Sequence, residues 1–171
     1  TIAAFTAGGK IDSIAYLPVQ DFGNAFSTYI AQNKGARDGS RIVKGIKSAS
    51  STIVMFCSVV SVVIFFNSRN LMHIFINPSE VNVIKLGIEY LSVISIFYML
   101  IGFLFMFYGF FRGIGALRIS VILTIISLGT RVVMAFILSG IPPIGQRGIW
   151  WSIPLGWALA DITGFFLYRK M

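Results

Sequence analysis

Charge is scarce in this sequence. Asp, Glu, Lys and Arg make up 12% of the 171 residues, and six of them are acidic. A soluble domain needs a polar surface, and six acidic plus fourteen basic side chains cannot cover one of this size. Cysteine is nearly absent: Cys57 stands alone, so no intrachain disulfide forms, and its neighbours Phe56, Val59 and Val60 make it a small packing residue. Histidine is as rare. His73 has no cysteine or second histidine nearby, which leaves no metal-ligand cluster to read. No nucleophile is spaced from a base as catalysis would need, so an enzyme is not expected. The Gly109-Phe110-Phe111-Arg112-Gly113-Ile114-Gly115 turn lacks the lysine and hydroxyl of a phosphate loop, and no strand precedes it.

Apolar length is abundant. Five segments, near 11–31, 49–66, 86–111, 119–138 and 149–168, each approach the roughly 20 residues that cross a bilayer as a helix. The hydrophobic fraction of 56% and the mean hydropathy of +0.84 fit a chain dissolved in lipid. Sixteen Phe without sustained polar/apolar alternation argue against an outer-membrane barrel. The expected fold is therefore an all-α polytopic membrane protein with five transmembrane helices. The chain opens at Thr1 with neither an initiator Met nor a signal-peptide flank, and it reads as a piece of a longer protein.

The net charge of +8 is organised by side. Lys34, Arg37, Arg41, Lys44 and Lys47 lie between the first two spans, Arg112 and Arg118 flank the third connection, and Arg169 and Lys170 follow the fifth span. By the positive-inside rule this side is cytoplasmic, as is the C-terminus of a bacterial inner-membrane protein. Residues 33–47 read as a basic amphipathic connection whose partners are anionic membrane lipids. Nucleic acid is not an expected partner.

The polar residues inside the spans are the candidate functional ones. Pro18 should kink or interrupt the first span. Beyond it Gln20, Asp21, Asn24, Ser27 and Thr28 share a face that either lines a cavity or bonds to neighbouring helices. The third span carries Tyr90, Tyr98, Met99 and Met106, which suit a permissive apolar cavity, although Phe-rich helices also face lipid. In the fourth span Ser120, Thr124, Ser127 and Arg131 share one face. A buried guanidinium needs a partner or water. Asp21 matches its depth, at roughly 16 Å from the cytoplasmic end of its span, and Asp161, at roughly 12 Å, lies on the adjacent span. The choice stays open. Asp12 and Glu89 sit near the outer boundary, where Asp12 would pair with Lys10 or meet water. Trp150 and Trp151 suit the outer headgroup belt, and Gly156, Ala160 and Gly164 form a ridge for close helix packing.

Several pieces in order complete the pattern: Ile2-Ala3-Ala4-Phe5, Lys10-Ile11-Asp12-Ser13, Gln32-Asn33-Lys34-Gly35-Ala36, Phe111-Arg112-Gly113-Ile114-Gly115, Thr130-Arg131 and Gly148-Ile149-Trp150-Trp151-Ser152-Ile153-Pro154-Leu155-Gly156-Trp157. Together they resemble the multidrug and toxic compound extrusion (MATE) transporters, particularly their DinF/MepA-like branch. The resemblance implies helices eight to twelve of a twelve-helix protein, an incomplete C-terminal lobe spanning residues 1–171. The N-terminal lobe and helix seven would be its missing partners. It also implies efflux of small organic, bulky and often cationic substrates, with Na+ or H+ as coupling ion and no other cofactor. Some family members carry a cation-binding Asp on helix ten, but Ser92–Phe111 holds no carboxylate here. Asp21 then becomes the first acidic candidate and Asp161 the second. A lipid-linked precursor flippase and a non-transporting membrane scaffold are the competing classes. The single deeply placed cation, Arg131, suits a phosphate-bearing flippase substrate poorly.

Overall fold

The computed structural model describes residues 2–145 and 147–170; Thr1, Gln146 and Met171 lie outside the described residues. Six helices follow one another: α1 (Ile2–Gly35), α2 (Gly39–Phe75), α3 (Val81–Ile96), α4 (Tyr98–Gly113), α5 (Leu117–Ser139) and α6 (Arg147–Arg169). By length and apolarity α2 and α5 can each cross a membrane alone, and α3 with α4 forms a third span bent by 55°. The helices α1 and α6, with 34 and 23 residues, have the length but carry more polar side chains. The five expected crossings thus resolve into two plain spans, one broken span and two long helices of mixed polarity.

Two local expectations change. Pro18 does not interrupt α1, which continues through it to Gly35. Proline keeps a helical φ and forfeits one backbone bond, a loss that a helix held by neighbours along its length absorbs. The basic connection and the second span form one helix, α2, started by Asp38, whose carboxylate accepts from the Arg41 amide at 3.0 Å.

At the break in the third span the backbone tightens into a turn in which the Phe97 amide bonds Ile94 and the Leu100 amide bonds Phe97. The Ser61 hydroxyl on α2 donates to the Ser95 carbonyl at the same place. No proline or glycine at the bend announces it.

Packing divides the bundle in two. Helix α1 lies along α4, and α5 with α6 forms a hairpin that docks on α3 and α4; the α1 backbone does not reach α5 or α6. Both close pairs rest on glycine. A Cβ on Gly23 would sit 2.8 Å from the Phe105 carbonyl oxygen, and one on Gly156 would strike the Ser127 carbonyl. The small-residue ridge read in the last span is thus in use: Gly156 meets α5, while Gly164 meets Phe107 of α4. Trp150 is not in a headgroup belt. It is 1% exposed, with ring centroids 5.7 Å from Phe5 and 5.3 Å from Tyr90, whereas Trp151 is 45% exposed. One end of the bundle is basic, and there the Lys34 ammonium donates to the Ile114 carbonyl and Arg112 donates to Asn24 at 2.8 Å, tying α1 to α4.

Candidate functional site

Asp12 is the acidic residue at the centre of the bundle, not a boundary group. It is 8% exposed. Gly8, one turn earlier on the same face of α1, makes the room: a Cβ there would lie 2.6 Å from Cδ1 of Tyr90. The Tyr90 ring therefore lies flat along α1 and its hydroxyl donates to Oδ2 of Asp12 at 3.2 Å. Tyr98 donates to the other oxygen, Oδ1, at 2.8 Å. Both tyrosines are 2% exposed. One carboxylate thus takes a hydrogen bond from each side of the bend, Tyr90 from α3 and Tyr98 from α4. Lys10, the partner expected for Asp12, instead lies over the Phe75 ring, 6.0 Å from its centroid.

Arg131 meets neither of its two expected partners. Among the described residues it pairs with neither Asp21 nor Asp161, the ion pair present being Glu89–Arg147 at 3.2 Å. Its positive charge is a minor contributor to the electrostatics at Asp12 and Tyr90. Depth along the membrane favoured Asp21 as its partner and chain adjacency favoured Asp161, and the fold brings neither carboxylate to it.

Asp161 occupies a different setting. Both of its carboxylate oxygens are buried and without a hydrogen-bond partner. Asp161 is one of the residues lining a cavity of about 600 Å³ between α1, α2, α4 and α6, walled by Phe26, Phe103, Phe107, Phe110, Phe165 and Phe166. Met106 and Tyr168 also line it. The volume falls in the range of roughly 300–1,000 Å³ usual for small-molecule sites. An aromatic wall beside a carboxyl group with no partner is complementary to an apolar cation, because the ring faces attract it and the carboxyl can ionise against it.

The remaining candidates are spread apart. Asp21, Asn24 and Thr28 lie on the exposed side of α1, with Gln20 half-buried beside them. Asn24 accepts from Arg112 and Asp21 borders neither cluster. Tyr98 binds Asp12, whereas Met99 is 37% exposed and Met106 lines the cavity. On α5 the Thr124 hydroxyl turns back to the Ser120 carbonyl at 3.0 Å, and Ser127 packs beneath Gly156.

The family model MatE matches residues 1–137. The chain belongs to the MatE family. A curated relative, the "Probable multidrug resistance protein YpnP" of Bacillus subtilis (strain 168), is 28% identical over 169 residues, which is 98% of this chain and 37% of the relative. Among solved structures, an outward-facing multidrug resistance MATE family transporter of the MOP superfamily superposes with a TM-score of 0.90 at 25% identity. It covers 99% of this chain and 38% of its own. A MOP superfamily transporter from Pyrococcus furiosus, whose binding pocket is described as reversed in polarity, superposes with a TM-score of 0.91 at 26% identity, again over 99% of this chain and 38% of its own. The MatE chain described here therefore spans a little over a third of the length of the relatives it matches, and it is a multi-pass membrane protein. Sequence reading missed Asp12 and Tyr90 as a pair. The available signal was Gly8 one turn before Asp12, a gap on the same helix face.

Proposed function

We propose that this MatE chain forms part of the C-terminal lobe of a secondary active exporter in the bacterial cytoplasmic membrane, with its basic end and C-terminus in the cytoplasm. The transporter expels bulky, often cationic organic compounds in exchange for Na+ or H+. One observation carries the reading: the partnerless Asp161 carboxylate at the wall of the aromatic cavity of about 600 Å³. A hydrophobic cation entering there gains the aromatic faces and supplies the charge that Asp161 lacks. Uptake of such a cation and of the coupling ion must bias the same two-state equilibrium for exchange to occur. The printed name of the Bacillus relative, a probable multidrug resistance protein, supports the same class of activity.

The test uses the intact transporter in proteoliposomes, with tetraphenylphosphonium as probe and Na+ and proton gradients imposed separately. Gradient-driven movement of the probe is expected, with D161N lowering its affinity about tenfold, equivalent to about 1.4 kcal/mol. Unchanged binding and transport in D161N would remove the cavity from the pathway.

A further inference from the structure

A carboxylate bonded on both sides of a helix break can set the angle of that break. Asp12 on α1 does this: Oδ2 accepts from Tyr90 on α3 at 3.2 Å, and Oδ1 accepts from Tyr98 at the first position of α4 at 2.8 Å. Phe97 alone separates the two helices. We infer that Asp12 is a proton-binding site whose occupancy sets the bend between α3 and α4. The inference rests on the ion-coupled reading above and names the proton as the ion handled at this position.

The chemistry is a single protonation. A proton adds to Oδ2, the oxygen with the longer and weaker hydrogen bond, and makes it an O–H donor. Tyr90, until then the donor, must turn its own hydroxyl away and offer a lone pair instead. Tyr98 keeps donating to Oδ1, which remains a carbonyl acceptor. The charge-assisted bond to α3 is lost, and the clamp then grips α4 alone. Meanwhile the Ser61 bond to the Ser95 carbonyl is untouched, and only the angle of the break is released.

The surrounding charges suit a proton better than a metal ion. The titratable and charged groups that face Asp12 are Tyr90 from α3, Tyr98 from α4 and Arg131 from α5; α2 contributes Cys57, which faces Tyr98. From α6 comes Trp150, which does not titrate and closes the site against the Tyr90 ring. Both carboxylate oxygens are occupied by hydroxyl donors, and the electrostatics of the site include the positive Arg131. A Na+ ion would have to displace the hydroxyl hydrogens and approach that cation, whereas a proton needs one hydroxyl to rotate.

Spin labels on the intact transporter read the angle directly, without any transport. Val81, the first residue of α3, and Leu117, just past the end of α4, are 68% and 60% exposed, so V81C and L117C in a C57A background report the end-to-end distance of the bent span. Pulsed electron resonance across a pH series is expected to show two distance populations exchanging with a one-proton dependence. D12N should hold the low-pH population at every pH. Y98F, which keeps the carboxylate and removes one donor, should retain the exchange with a displaced midpoint, and it decides the matter if D12N fails to fold. A distance that ignores pH, a pH response that survives D12N, or a midpoint unmoved in Y98F overturns the inference. Failure of tetraphenylphosphonium transport under both gradients would count against the exporter reading alone, since the label distances do not depend on it.

Discussion

Asp12 and Asp161 are both carboxylates enclosed by helices, and their surroundings are opposite. Asp12 has a tyrosine hydroxyl on each oxygen and lies in a closed polar knot at the meeting of α1, α3 and α4. Asp161 has no donor at either oxygen and borders an aromatic cavity. Removing a charge from low-dielectric surroundings is favourable unless that charge is satisfied there. The first carboxylate is therefore satisfied within the fold, and the second is not.

That contrast breaks most sharply if Asp12 is made apolar. D12L would leave two buried hydroxyls without acceptors, at about 1–3 kcal/mol each, so a loss of about 3 kcal/mol is expected in thermal unfolding followed by tryptophan fluorescence. A melt as stable as the wild type would show that the knot is dispensable. Y98F should cost about 2 kcal/mol and Y90F less, in the order of their 2.8 and 3.2 Å bonds; the reverse order would mean that Tyr90 is the anchor. At Asp161 the sign should change: D161N is expected to melt no lower than the wild type, because the carboxyl it replaces makes no hydrogen bond among the described residues. A drop would reveal a partner for Asp161 inside the fold. The smallest effect is expected at the exposed Glu89–Arg147 pair, where E89Q should shift stability by less than about 1 kcal/mol in the same assay.

The polar face of α1 teaches a related lesson. Asp21, Asn24 and Thr28 do lie on one side of the helix, as helical spacing requires, but that side is exposed and, among the described residues, Asp21 pairs with no cation. Spacing along one helix fixes which residues share a face. It cannot say which neighbour that face meets. Tyr90 and Tyr98 show the converse. In an unbroken helix residues eight apart point about 80° away from each other. The 55° bend between α3 and α4 falls between these two tyrosines, and it brings both hydroxyls to one carboxylate of α1.

Taken alone, the sequence determined the helical membrane class, the approximate segments, the concentration of positive charge at one end and the glycine ridge of α6. Those properties follow from composition and from the 3.6-residue period, which are local. Tertiary structure decided that Pro18 leaves α1 whole, that Trp150 is core, that Arg131 pairs with neither Asp21 nor Asp161, and that Asp12 is bound while Asp161 is not. Each of these depends on groups brought together from distant parts of the chain, and a carboxylate's role is set by the donors that reach it rather than by its position in the sequence.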